Sequence, residues 1–478
     1  MATAVYPRAE RSPGLFAGVI GLVAFALTCG VGIAIGELQA LVASLTILAS
    51  VAVLVDYRVG AVLLIVLMPI SASYLFPHEM FGYQGVNPLN VLLLATLGSF
   101  LLRGTGLRRF LPKPLLWLFI VPIAVAGLLG ARHVQEIPPL FYEQLLINYT
   151  DGLGYLRDAL MKPMLIVVAA LLIGAAVARS QKPERFITPV IVSVWVMSLL
   201  SILYVVSTGL SLGMLASASE RGLFSAALGM HANELGRLYA VAYALLLFVW
   251  GETKDLRLKT VLVPTMGALT VALVLTFSRG AFLGFFIVNG LFLMWKFNAR
   301  TIGIAILVAA VALPLMPGAV WDRLMLGFGS GGDANAVSAG RIDFIWLPLM
   351  PEALTTPPWG NGLDSVMWSK AMWSGTILEV THPHSAYLQA LLDMGVLGVT
   401  LLLAFYAHVF RGLRSLGSNA YLTPTMRGFF QGALAGLVCF LATGAVGSSL
   451  RPTPEFTFLW FAIGLMYGVF ARKTAGGN

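Results

Sequence analysis

Two histidines flank a proline at the end of a long polar stretch, His382-Pro383-His384-Ser385, just before an apolar run that begins at Ala386. A histidine near its unperturbed pKa accepts a proton at neutral pH, which makes His384 a candidate general base toward a hydroxyl. His382 is a second polar contact, with holding the loop as its plainer role. Thr276-Phe277-Ser278-Arg279-Gly280 sets a cation in a turn of two or three residues between two apolar runs. Arg279 there either snorkels to a membrane interface or binds an anion. Arg341 sits two residues from Asp343, so it either pairs with that carboxylate or meets a substrate. Upstream, Arg221-Gly222-Leu223-Phe224 precedes His231-Ala232-Asn233-Glu234-Leu235-Gly236-Arg237. Asn233 is a helix cap or a substrate contact and Gly236 a site of close packing, whereas Arg221 has no such structural role.

The elements that position these residues are membrane helices. With 58% hydrophobic and 11% charged residues, the chain falls far outside soluble composition, where about a quarter of residues are charged. The apolar runs are continuous rather than alternating, which excludes a β-barrel and predicts an all-α, polytopic transmembrane protein of about 12–14 spans. The runs are Leu15–Gly36, Leu38–Val55, Gly60–Phe76, Pro88–Leu102, Pro114–Gly130, Met164–Ala178 and Ile187–Val206. They continue with Leu235–Trp250, Val261–Phe277, Gly280–Phe297, Thr301–Met316, Ala386–Val409, Phe429–Val446 and Phe456–Phe470. The first run is too long for a signal-peptide core and is expected to be retained. The closely spaced first pair also fits a re-entrant hairpin.

Charge orients the spans. With the N-terminus and its Arg8 and Arg11 inside, the short inside loops collect 20 of the 30 basic residues and 5 of the 21 acidic ones. That is the positive-inside asymmetry, and it predicts two cytoplasmic termini. Arg221, Arg279, Arg341, His384 and Arg451 then share the outer side. The net charge of +9 reflects this topology and gives no argument for nucleic-acid binding. A single integral membrane domain over 1–478 is the simplest organisation, with one large outer loop at 317–385. The Gly-rich stretch Gly327–Gly332 reads as a flexible part of that loop, which also holds five of the ten Trp residues. Those Trp residues suit an interfacial belt, a sugar-stacking surface, or both.

Cys29 and Cys439 lie inside apolar runs and offer neither a disulfide framework nor metal spacing. His-x-His alone is no metal site, and no Walker or dinucleotide fingerprint appears, so no cofactor is expected.

Ser278-Arg279-Gly280, Gly340-Arg341 with Trp346, Gly360-Asn361-Gly362, and His384-Ser385 with Tyr387-Leu388, Gly395 and Gly398 occur in this order. Together they resemble the O-antigen ligase and O-antigen polymerase superfamily, with a core region at 261–400. The resemblance implies a membrane-embedded, metal-independent, inverting glycosyltransferase of the bacterial inner membrane. Its donor would be an undecaprenyl-diphosphate-linked glycan. The acceptor would be lipid A–core in a ligase, as in lipopolysaccharide maturation, or a lipid-linked glycan in a polymerase. Carried over by position, Arg279 and Arg221 become diphosphate ligands and His384 the catalytic residue, at a periplasmic active site. Arg341, His382 and Asn233 remain possible substrate contacts.

The spacing His-Ser-x9-Gly-x-x-Gly favours the ligase, whereas a fourteen-helix layout favours the polymerase. A flippase or other transporter is a third reading. It requires a polar path through the spans, and these runs are nearly free of charge.

Overall fold

The computed structural model describes residues 38–475, apart from 75, 81–82, 103–109, 216, 218–221, 223, 225–226, 300, 304–305, 308–309, 311–313, 315 and 328–333. The run Leu15–Gly36, Arg221, Cys29, part of Thr301–Met316 and nearly all of Gly327–Gly332 therefore lie outside the described residues.

The protein is helical. One antiparallel pair of two-residue strands, Glu79–Met80 with Tyr83–Gln84, is the exception among the described residues. Three apolar helices come first: α1 (Leu38–Val55), α2 (Tyr57–Leu67) and α3 (Pro88–Leu102). They are followed by α4 (Lys113–Gly130), α5 (Gly152–Arg179), α6 (Pro183–Thr208), α7 (Ala232–Glu252), α8 (Leu256–Leu275) and α9 (Arg279–Trp295). The last three are α10 (Ala386–Gly417), α11 (Pro424–Gly444) and α12 (Pro454–Arg472). Eight of these, α4 to α8 and α10 to α12, are long and apolar enough to cross a membrane, and the other four are shorter apolar helices. This is a multi-pass membrane protein.

The chain divides into two compact units, residues 1–64 with 76–105, and residues 65–75 with 106–478. In the first, Gly60 packs face-on against Thr96, Ser99 Oγ donates to Leu54 O at 3.2 Å, and Tyr57 meets Phe100 edge-on at 5.6 Å.

The second unit is built around α7, which is buried along nearly its whole length. α11 lies against it through Gly428, Gly432 and Gly436. A Cβ at Gly428 would come within 2.5 Å of Phe248 O, and one at Gly432 equally close to Ala244 O. Small residues at four-residue spacing let two backbones approach and gain dispersion contacts, which drive helix association where lipid removes the hydrophobic effect. Gly174 of α5 meets Gly464 and Gly468 of α12 in the same way.

α5 begins well before the expected Met164. Asp151 caps it by accepting from Gly154 N at 2.6 Å. Asp158, paired with Arg157 at 2.9 Å and Lys162 at 2.8 Å, lets a charged segment continue the helix through a wider π turn at Leu156–Met161.

The large loop folds into short helices, among them Gly318–Met325, Ile342–Trp346 running on into Leu347–Thr355, and Ser365–Trp368. It docks on a break in α10 at Gly395, whose φ of 62° and ψ of −174° suit only glycine. There Asn361 N donates to Leu392 O and Gly362 N to Asp393 O, both at 3.0 Å, and Leu397 N donates to Pro358 O at 3.0 Å. The loop thus satisfies the backbone groups that the break exposes. Gly395 admits the Pro357 and Pro358 carbonyls, with which a Cβ there would collide.

Candidate active site

The sequence places its chemistry at helix beginnings, and the structure brings these beginnings together. α9 and α10 start alike. Phe277 (φ 48°) precedes the cap Ser278, whose hydroxyl accepts from Ala281 N at 3.3 Å. His384 (φ 53°) precedes the cap Ser385, which accepts from Leu388 N at 3.5 Å. A left-handed residue before a serine cap reverses the chain sharply and projects Arg279 and His384 from the helix entrance. α7 is capped by His231 rather than by Asn233. Its Nδ1 accepts from Asn233 N at 3.1 Å, and Glu234 returns the bond to His231 N at 2.9 Å. Asn233 sits in the first turn. Gly236 brings this turn against the α9 entrance, where a Cβ would lie 2.5 Å from Ala281 Cβ and 3.1 Å from Ser278 Cβ. Close packing at Gly236 was the expectation from sequence.

Three guanidinium groups gather here. Arg237, buried in α7, pairs with buried Glu455 at 3.0 Å and leaves its Nε without a partner. Arg279 donates to Leu326 O at 3.2 Å, and Arg341 donates to Val446 O at 3.3 Å. The Arg341–Asp343 pair considered from sequence is not formed. Neither Arg279 nor Arg341 meets a carboxylate among the described residues. Burial, with Arg237 and Arg279 nearby, lowers Arg341 to about 10.

The His382 and His384 rings meet at a right-angled tilt, centroids 4.3 Å apart. Thr381 Oγ1 and His382 Nδ1 share a 3.2 Å hydrogen bond. Trp346 Nε1 donates to Pro383 O at 2.8 Å and so bolts the histidine segment to the helix that carries Arg341. Burial, then His382, Arg341 and Arg237, push His384 down to about 2. Burial and Arg237 lower His382 to about 4, with Asp364 opposing. The expectation of a histidine near its ordinary pKa is therefore corrected. Desolvation and neighbouring cations hold both imidazoles neutral.

Two cations without counter-ions, at converging helix N-termini, make a site for an anion. A neutral imidazole beside it leaves an unprotonated ring nitrogen to face a hydroxyl. The family model described as O-antigen ligase matches residues 264–403. This segment is an O-antigen ligase domain. No curated protein matches the chain. Arg279, Arg341, His382 and His384 lie inside the matched segment, which also holds α9, the loop and the first half of α10. The family implies glycosyltransferase-type activity, and of the three arginines Arg279 and Arg341 fall within the matched segment while Arg237 lies before it.

Two polar groupings escaped the sequence reading. One is Arg237–Glu455, whose partners stand 218 positions apart and carry no sequence sign of pairing. The other holds the O-antigen ligase loop down. Asp364 (φ 63°) pairs with Arg451, whose Nη1 donates to Ala159 O at 3.2 Å. Asp393 accepts from Ser365 N and Oγ, both at 3.0 Å, and from Gln389 Nε2 at 2.8 Å. Tyr155 OH completes the hold on Leu363 O at 2.7 Å. Arg451 was expected at the same end as His384, and its pull on His382 agrees. A readable signal existed in Gly360-Asn361-Gly362, where closely spaced glycines mark a tight backbone approach.

Proposed function

We propose that this protein transfers a glycan from an undecaprenyl-diphosphate carrier to an acceptor hydroxyl, and that it works as an O-antigen ligase with lipid A–core as acceptor. The observation that carries the reading is the pairing of carboxylate-free Arg279 and Arg341 with a neutral His384 at converging helix N-termini.

The diphosphate of the donor occupies the cationic group. Arg279 and Arg341 bind its oxygens through rigid forks of N–H donors that stay charged at any physiological pH. The acceptor hydroxyl attacks the anomeric carbon from the side opposite the diphosphate. The new glycosidic C–O bond forms as the bond to the diphosphate oxygen breaks, and the electron pair leaves on the carrier. His384 takes the hydroxyl proton. Attack opposite the leaving group inverts the anomeric configuration. The arginines stabilise the charge that builds on the departing diphosphate, where partial desolvation makes each contact count for more. Among the described residues no group of three or more His, Cys, Asp or Glu is arranged to hold a metal ion. Metal-independent chemistry is accordingly part of the proposal. Arg221, carried over from the family resemblance, is proposed as a further diphosphate ligand.

The excess of basic residues on alternate short loops supports an inner-membrane protein with cytoplasmic termini and a periplasmic site. The family description and the His-Ser-x9-Gly-x-x-Gly spacing support the ligase. The test incubates purified protein with a lipid-linked glycan and alternative acceptors in chelator, and resolves products by size. A single shift on a core acceptor is expected. A ladder of lipid-linked products would make the protein a polymerase, and activity restored only by a divalent ion would end the metal-independent account.

A further inference from the structure

The helix that starts at Arg341 has two faces. Ile345, Leu349 and Ala353 are buried against the protein, at 6% exposure or less. Phe344, Leu347, Met350 and Leu354, spaced three or four residues apart, point away from it and are 54%, 57%, 42% and 80% exposed. That spacing lines them along one face of a helix. This segment belongs to a loop between spans, and its outward side is nevertheless apolar. The stripe begins one turn from Arg341 and runs for eleven residues, Phe344 to Leu354, about 15 Å at the helical rise. It ends where Pro358 docks on the α10 break, beside Val396 and Leu397, which are 57% and 56% exposed. An apolar surface thus leads from a guanidinium in the cationic group to the lipid-facing side of a membrane helix.

We propose that this stripe, Phe344-Leu347-Met350-Leu354 continued by Val396 and Leu397, carries the polyisoprenyl chain of the donor. The inference rests on the reading that a lipid diphosphate binds at Arg279 and Arg341. A diphosphate held there has its lipid chain leaving the same phosphorus group, and the chain must come to lie on apolar surface to remain in the membrane. The stripe is contiguous with the phosphate site, has the reach of several isoprene units, and points toward α10. Trp346 faces a different way on the same helix and fixes it to Pro383, so the surface that carries the lipid is rigidly tied to the histidine segment. Bulk bilayer contact, the plain alternative, has no reason to depend on the donor's chain.

The experiment compares one glycan diphosphate on an undecaprenyl carrier and on a dimethylallyl carrier, whose single isoprene unit is too short to run along the stripe. It uses the full-length protein, the double variant Leu347→Ser with Met350→Ser, and Leu203→Ser as a control at an exposed apolar position on α6. The double variant should raise the KM for the undecaprenyl donor roughly tenfold, the scale of a few lost methylene contacts. Turnover of the dimethylallyl donor should be unchanged, which also shows that the variant is folded. Phe344→Ala, a milder change, should shift the KM in the same direction. Equal effects on the two donors, no effect on either, or an equal effect of Leu203→Ser would overturn the proposal and leave only bilayer contact. Failure of the unaltered protein to turn over either donor would instead remove the glycosyltransferase reading on which it stands.

Discussion

Trp346→Phe is the most direct probe of how the fold holds its base. The indole Nε1 donates to Pro383 O at 2.8 Å, and the next residue, His384, is held at φ 53°. A left-handed conformation of a non-glycine residue costs on the order of 1–3 kcal/mol and persists only where its surroundings enforce it. Phenylalanine removes the donor and leaves the Pro383 carbonyl unpaired, a loss of about 1–3 kcal/mol. The two energies are of similar size, so relaxed conformers of the histidine segment become populated once the bond is gone. If the loss falls on positioning His384, kcat drops about 5- to 150-fold, at 1.36 kcal/mol per tenfold. Donor KM should change little, because Arg279 and Arg341 keep their places. Trp373→Phe is the control. Its Nε1 makes a bond of the same length, 2.8 Å, to Glu136 O at an exposed position away from the histidines. Initial rates against donor concentration, with folding followed by thermal melts, give both constants. Wild-type kcat in Trp346→Phe, or a loss no greater than in Trp373→Phe, would refute the argument.

Arg279→Lys should weaken donor binding nearly as much as Arg279→Ala, since one ammonium cannot reproduce a two-pronged grip on phosphate oxygens; donor titrations read this. His384→Ala should leave donor affinity intact and lower kcat by about 10² to 10⁴, the usual span for a lost general base, so lost affinity there would reverse the assigned roles. With His384 near 2 and His382 near 4 in the free protein, both imidazoles stay neutral as pH falls from 8 to 5. kcat/KM should therefore stay flat over that range, whereas an ordinary histidine would lose about 30-fold by pH 5; an inflection near 6.5 would contradict the burial argument. Because the folded pKa lies below the unfolded value, the same histidines remove stability as pH drops below about 6.5, and His384→Gln should flatten that loss in melting temperature. Gly395→Ala should cost about 1–3 kcal/mol of stability and free the loop, measured as a lowered melting temperature and faster proteolysis within 350–380; an unchanged melt would mean that the break relaxes without effort.

Composition made the membrane class and most spans legible because lipid leaves little freedom. Pro88–Leu102 forms as expected, and Lys113–Gly130 begins one residue from the expected start. The misjudged start was α5, where Arg157, Asp158 and Lys162 look like a loop in composition. Ion pairing within one helical turn neutralises them, and a hydropathy reading does not register that. The loop was legible as a loop, but its internal helices were not. Prolines at 348 and 351 interrupt the usual signal, and the segment is stabilised by docking on Gly395 rather than by its own propensity. At the site, residue types and turns pointed to Arg279, Arg341 and His384. What they could not give was the pairing. Arg237 with Glu455 and Asp364 with Arg451 are long-range choices made by packing. The pKa of His384 was misread for a related reason, since burial under packed elements lowers it first and His382, Arg341 and Arg237 add to that.

The strained residues explain why the site is built as it is. Of the five non-glycine residues with positive φ among the described residues, four adjoin it: Phe277, Ala339, Asp364 and His384. Glycine would relieve the strain at each, but three of them have side chains in use. Phe277 is fully buried beneath the Arg279 turn, Asp364 holds Arg451, and His384 carries the imidazole. The reversals at Phe277 and His384 also start the helices α9 and α10, whose N-termini add to the positive potential at the site. The fold therefore accumulates positive potential that the free protein does not neutralise. On the proposed reading that potential holds a diphosphate, and it adds to burial, the larger cause, in lowering His384. A diphosphate bound there would cancel the part of the depression that the cations cause and return some proton affinity to His384, while the effect of burial remains. In the proposed reaction donor binding would therefore strengthen the base, so that the acceptor hydroxyl meets it in its stronger form once the leaving group is in place.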